Sequence, residues 1–225
     1  MPVSVSATEL GNYAGRYPCL RCAWVRMHVK NLPYQSFPAI FSSIDSYTKN
    51  VVSSHFQENR NLPNWLHELG EIKDSIKPPG WRKFFREDLP TGVTVRGEAD
   101  AIFQLEGGSF LILDYKTSRY NPKRTRALQI YEIQLNAYAW IAESLGYSPV
   151  SRLYLAFMEP ESGGNYVRSS DSVNSKGFTL GFKARLVPVR RRPETLIPPI
   201  LEKVIKVAHM ETPPPRTRCR DCNNL

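Results

Sequence analysis

Apolar positions recur along the chain with two different periods. Over residues 40–57, Ile44, Tyr47, Val51, Val52 and Phe56 repeat at helical spacing and predict a helix. Residues 7–30 also read as helical, with Trp24, Val25 and Met27 as apolar contacts. Residues 58–90 are interrupted by Leu62-Pro63, Pro78-Pro79-Gly80 and Leu89-Pro90 and read as loop-rich. The period then shortens. Residues 93–105 and 110–115 predict two strands around Glu106-Gly107-Gly108-Ser109, a hairpin. Residues 125–145 predict the longest helix, 152–158 and 178–189 two more strands, and 193–210 a last helix with prolines near its start. This order gives an α/β (α+β) fold: a mixed central sheet flanked by helices.

At 225 residues and 41% hydrophobic, the chain has enough apolar mass for one domain with a sizeable core. No run approaches the roughly 18 apolar residues of a membrane span. The first six residues lack the charged and apolar blocks of a signal peptide, so a cytoplasmic protein is expected. Thirty Lys and Arg against 21 Asp and Glu give a net charge of +9. The basic residues gather at 119–126, at Arg190-Arg191-Arg192 and at 216–220, which favours a polyanion, most simply nucleic acid. The four cysteines form two pairs, Cys19-Leu20-Arg21-Cys22 and Cys219-Arg220-Asp221-Cys222, and in a cytosolic chain such pairs suit a metal better than disulfides.

The hairpin carries the candidate chemistry. Gly97-Glu98-Ala99-Asp100 lies on its first strand and Asp114-Tyr115-Lys116 ends its second. Side chains alternate along a strand, so Asp114 and Lys116 share a face while Tyr115 points away. Whether Asp100 joins them depends on register. A two-residue turn at Gly107-Gly108 sets Asp100 opposite Tyr115, on the wrong side. A three-residue loop, Gly107-Gly108-Ser109, sets it opposite Lys116 and brings the three together, and a bulge achieves the same. Two carboxylates can hold Mg²⁺ beside a scissile phosphate, and an ammonium two residues from a ligand can stabilise developing charge there. The plainer reading is a strand that ends in a surface acid and base. Against it, Phe110-Leu111-Ile112-Leu113 reads as buried strand, and an acid directly after such a run lies at a sheet end, where sites form. On the next helix, Gln134 and Tyr138 share one face at i and i+4.

Gly97-x-x-Asp100, Asp114-Tyr115-Lys116-Thr117 and Gln134-x-x-x-Tyr138, in this order and spacing, resemble the RecB-like branch of the PD-(D/E)XK nucleases, which includes the CRISPR-associated RecB-like exonucleases and the nuclease domains of RecB and AddB. The resemblance implies a single restriction-endonuclease-like domain over 1–225. It implies Asp100 and Asp114 as ligands of Mg²⁺ or Mn²⁺, Lys116 as catalytic lysine, and Gln134 and Tyr138 as supports of the site or of the DNA backbone. The family often adds a ligand from an upstream helix; His55 is the candidate, with Glu58 second. Glu98 faces away from Asp100, and His28, His67 and His209 lack such context.

Two Cys pairs so far apart can share a site only if residues 16–24 and 216–222 pack together, with Pro213-Pro214-Pro215 carrying the chain back. Four thiolates suit tetrahedral Zn²⁺ or a [4Fe–4S] cluster, and spacing does not separate the two or exclude unligated thiols. The resemblance favours the cluster, which pins the two ends of several RecB-like nucleases. Their usual arrangement is one N-terminal and three C-terminal cysteines, whereas this chain has two and two. The expected function is metal-dependent hydrolysis of DNA, on single strands or ends, beside a helicase or other nucleic-acid-processing partner. The competing readings are a non-catalytic nucleic-acid-binding module of the same fold and a structural metal protein that binds another protein.

Overall fold

The computed structural model describes residues 3–14, 18–29, 38–168 and 172–216. In chain order the elements are β1 (Val3–Ser6), α1 (Leu20–His28), α2 (Ala39–Asn59), β2 (Ile72–Ile76), β3 (Phe85–Asp88), β4 (Val93–Arg96), β5 (Ala101–Leu105) and β6 (Phe110–Lys116). They continue with α3 (Thr125–Ser144), β7 (Val150–Pro160), α4 (Gly164–Val167), β8 (Val173–Asn174), β9 (Gly177–Phe178), β10 (Phe182–Val189), α5 (Pro193–Leu196) and α6 (Pro198–Ala208).

The main sheet has the order β10-β7-β6-β5-β2. Only β6 and β7 run parallel, joined through α3, so the sheet is mixed. Central β6 is buried on both faces, which explains its unbroken apolar run. Leu111, Leu113 and Tyr115 pack on the side where α2 contributes Val52, while Phe110 and Ile112 pack on the other, against Ile133 and Leu135 of α3. The sheet is therefore a layer between two helices, in keeping with a restriction-endonuclease-like fold.

Several expected elements are divided. The strand expected over 93–105 is two strands in different sheets: β4 lies between β1 and β3, whereas β5 pairs with β6 and β2. The chain changes sheet after Arg96, where the Gly97 amide donates to the Phe84 carbonyl at 3.0 Å. The loop-rich stretch 58–90 contains β2, β3 and a 3₁₀ helix, Asn64–Leu69. Among the described residues of 7–30, only α1 forms an α-helix; Glu9–Asn12 is a 3₁₀ turn tied to Ser6 through the Glu9 carboxylate. The strand expected over 178–189 divides into β9 and β10, and the last helix breaks before Pro198, which has no amide to donate to the previous turn.

Arg190-Arg191-Arg192 largely serves the fold rather than a ligand. Arg191 pairs with Glu143 at 2.8 Å and Glu194 at 2.6 Å, and Arg192 with Glu132 at 2.8 Å. Buried Asn136 completes this seam: its amide donates to the Arg190 carbonyl and its oxygen accepts from the Arg192 amide. The two ends of the described chain also meet. The Trp24 indole donates to the Met210 carbonyl at 2.8 Å, and Arg21, inside the first cysteine pair, donates to the Pro214 carbonyl at 3.1 Å. Cys19 and Cys22 are buried; Cys219 and Cys222 lie outside the described residues. Among the described residues no helix is long and apolar enough to cross a membrane.

Candidate active site

The hairpin register decides the face on which Asp100 lies. Ala101 pairs with Leu113 and Gln104 with Phe110, and Leu105 N–H donates to Ser109 O. The loop therefore has three residues, Glu106-Gly107-Gly108, one position earlier than Gly107-Gly108-Ser109. Gly108 takes the left-handed conformation (φ 82°) that closes such a loop. Asp100 sits at a bend one residue before β5, just past the last pair, and this register extended by one residue points it toward Asp114 rather than Lys116. The side is unchanged, because moving the pairing by two residues preserves the alternation.

Asp100 and Asp114 thus stand together at the end of the sheet where β6 finishes. Asp100 accepts a hydrogen bond from the Tyr115 amide on Oδ2 at 2.8 Å. Asp114, 2% exposed, faces α3 and accepts from Gln134 Nε2 at 3.2 Å. Gln134 organises the rest: its Oε1 accepts from Lys116 Nζ at 3.0 Å, and its Nε2 also donates to Tyr138 Oη at 2.8 Å. Lys116 Nζ lies 2.7 Å from Asp114 Oδ2 and 4.3 Å from the centroid of the Tyr131 ring. The Lys116 contact lacks hydrogen-bond geometry, so Asp114 Oδ2 is buried without a hydrogen-bond donor among the described residues.

His55 is elsewhere. Its Nε2 lies 3.2 Å from Asn61 Oδ1, and Glu58 is exposed. The helix α2 instead sends Asp45 and Lys49 to the site. Lys49 Nζ lies 2.7 Å from both Asp45 Oδ2 and Asp100 Oδ1. His55 is six residues past Lys49, about 9 Å along the axis and turned about 120° around it, which takes it off this stripe. Asp45 and Lys49 were legible only as an i,i+4 ion pair, which on an amphipathic helix reads as solvent-facing decoration; what gives them meaning is Asp100, 51 to 55 residues away in sequence.

The electrostatics follow from burial. Desolvation pushes the Asp114 carboxyl up to about 6; Lys116 counteracts it and Asp100 adds to it. Asp100 is raised in the same way, with Lys49 and the Tyr115 amide opposing. For Lys49, burial favours the neutral form, but Asp100 and Asp45 outweigh it and hold the ammonium well above its usual range. The Tyr115 hydroxyl is buried with no hydrogen-bond partner among the described residues, and burial together with Asp100 and Asp45 opposes its ionisation.

Among the described residues no three His, Cys, Asp or Glu side chains converge closely enough to form a ready-made metal cage. Mg²⁺ does not require one: it keeps several waters and binds through one or two carboxylates plus a substrate phosphate. The donors present fit that pattern. Asp114 Oδ2 and Asp100 Oδ1 are hard oxygens whose nearest partners are lysine ammonium groups rather than backbone N–H donors.

No curated protein matches the chain. Among solved structures it is similar to one titled "Crystal structure of SSO0001", with 15% identity and a TM-score of 0.47, over 91% of this chain and 75% of that one. The family model described as the PD-(D/E)XK nuclease superfamily matches residues 39–224, a span that includes α2, the hairpin and α3. The chain therefore belongs to the PD-(D/E)XK nuclease superfamily.

Proposed function

We propose that the protein is a Mg²⁺- or Mn²⁺-dependent deoxyribonuclease of the RecB-like branch, acting on single strands or ends. The observation that carries this reading is the pairing of Asp100 and Asp114 at one sheet end with Lys116, whose ammonium is braced by Gln134 at 3.0 Å. Asp100 and Asp114 would hold the metal, and Asp45, linked to Asp100 through Lys49, is the acid that the upstream helix brings nearby in place of His55 or Glu58. When bound, the ion neutralises charge on the scissile phosphate and lowers the pKa of an attacking water. Lys116 supplies a fixed positive charge to the phosphoryl oxygens as negative charge builds on them. Gln134 keeps that ammonium aimed, and Tyr138 fixes the Gln134 amide. Water adds to phosphorus, the P–O bond to one sugar breaks, and the leaving oxygen takes up a proton.

The chain's two ends are proposed to share a [4Fe–4S] cluster, or Zn²⁺, through Cys19, Cys22, Cys219 and Cys222, closing residues 1–225 into one domain. The Arg21–Pro214 and Trp24–Met210 hydrogen bonds support this, since they draw the chain leading to the second pair onto α1. The resemblance to RecB and AddB nuclease domains extends the proposal to a helicase or similar nucleic-acid-processing partner.

The test is cleavage of labelled single- and double-stranded DNA by purified protein with Mg²⁺ or Mn²⁺, with chelator and with Asp114→Ala. Cleavage that needs the metal and disappears in the variant supports the proposal. Persistent cleavage in Asp114→Ala, or none by the wild type with either metal, overturns it.

A further inference from the structure

We infer that Lys49 is a positioning residue of the metal site: its ammonium occupies the place between Asp45 and Asp100 that a divalent cation has to claim, so that it holds the two carboxylates together without metal and competes with metal for them. The inference rests on the proposed metal site. It is carried by the two 2.7 Å contacts from one Nζ, to Asp45 Oδ2 and to Asp100 Oδ1. The second oxygen of Asp100 is held independently by the Tyr115 amide. Backbone therefore fixes one side of that carboxylate, and among the described residues Lys49 alone satisfies the side available to a cation.

The arrangement suits a lysine and a displaceable one. An ammonium is a compact point charge on a flexible four-carbon stem, able to hold two carboxylates and then swing away. The Lys49 side chain is 34% exposed, against 16% for Lys116, so it is the more open of the two toward solvent. Lys116 is also tethered by Gln134, whereas Lys49 hydrogen-bonds to the Asp45 carboxylate and ion-pairs with that of Asp100, so the groups that hold it are the carboxylates themselves. A divalent ion entering beside Asp100 repels Lys49 and replaces its charge twofold. Asp45 and Asp100 stay neutralised while Lys49 moves toward solvent.

Two measurements test this on chelator-stripped full-length protein. In calorimetric titrations with Mn²⁺, Lys49→Met should bind the ion roughly tenfold tighter than wild type, the scale expected for removing one partly screened charge a few ångströms away. It should also melt at lower temperature without metal, because Asp45 and Asp100 lose their counter-ion. Equal or weaker Mn²⁺ affinity in a folded Lys49→Met protein overturns the inference. The second measurement needs no variant: acylation of Lys49, read by peptide mass spectrometry, should speed up several-fold when Mn²⁺ is added. An unchanged or slower rate overturns the inference as well. Asp114→Ala separates the failures. Wild-type Mn²⁺ binding no better than in that variant overturns the metal site and this inference together, whereas wild-type binding with unmoved Lys49 readouts overturns this inference alone.

Discussion

The ring of Tyr138 lies directly over Gly97, so closely that a methyl group on Gly97 would stand 2.6 Å from Tyr138 Cε1 and 3.0 Å from Cδ1. The contact joins the residue at which the chain leaves β4 to the helix that holds the active-site amide, because the Tyr138 hydroxyl is hydrogen-bonded to Gln134. Gly97 is needed here for space and not for an unusual backbone conformation. Gly97→Ala should cost about 1–3 kcal/mol of stability through overpacking, read by denaturant unfolding. Adding Tyr138→Leu should recover part of that loss, so that the double variant is less destabilised than the two single effects added together. Simple additivity would mean that the ring is not what excludes a side chain at 97.

Asp114→Ala and Lys116→Ala should each abolish metal-dependent cleavage while leaving DNA affinity within a few-fold, since binding is spread over many phosphate contacts. Lys116→Arg should not restore activity: a planar guanidinium does not fit the single contact that Gln134 Oε1 makes with a compact ammonium. Wild-type rates in either alanine variant would remove these residues from the chemistry.

Gln134 touches both Asp114 and Lys116, the proposed catalytic pair, without itself being a proposed ligand or general acid. Gln134→Leu keeps the bulk and loses the Lys116, Asp114 and Tyr138 hydrogen bonds, and should lower kcat about 10- to 100-fold with a smaller change in KM. If KM alone rises, Gln134 acts in substrate binding instead.

The raised Asp114 pKa gives a pH dependence of known sign. In metal-free protein the folded state holds this proton up to about pH 6, whereas the unfolded chain releases it near 3.8. The contribution of Asp114 to stability is therefore greatest below pH 4 and is lost as pH rises through 6. Wild type compared with Asp114→Asn in chelator should lose relative stability from pH 4 to 7. The proton also competes with the metal, so Mn²⁺ affinity should rise over pH 5–7. A stability difference between the two proteins that does not change with pH would refute the assignment.

The cysteine clasp predicts coupling across the chain. If Cys19 and Cys222 serve one metal or cluster, Cys19→Ser and Cys222→Ser should lower the melting temperature by similar amounts, and the double variant by little more than either. Anaerobic purification should give a brown protein for iron–sulfur and a colourless, zinc-containing one for zinc. Fully additive losses in a metal-free protein would refute both.

Elements whose signal is local can be read directly from the order of the residues. The unbroken run of β6 and the long pattern of α3 are legible because burial on one or two faces leaves its period in the residues themselves; in α2 only Val52 and Phe56 of the expected stripe are buried, while Tyr47 and Val51 are exposed and Thr48 takes the inner face instead. The pairing of Asp114 with Lys116, and of Gln134 with Tyr138, was legible for the same reason, since a strand of period two and a helix of period 3.6 decide which neighbours share a face. Tertiary structure decided what depends on partners distant in the chain. The β5–β6 register, which points Asp100 toward Asp114, comes from where the loop closes, at Gly108, and the division of 93–105 between two sheets falls at Gly97, which packs beneath Tyr138. Arg190-Arg191-Arg192 looked like a nucleic-acid contact until Glu143, Glu194 and Glu132 took up two of its charges. Asp45 and Lys49 belong to the candidate site only because α2 crosses the sheet end beside Asp100, and a contact of that kind leaves no periodic trace in a single sequence.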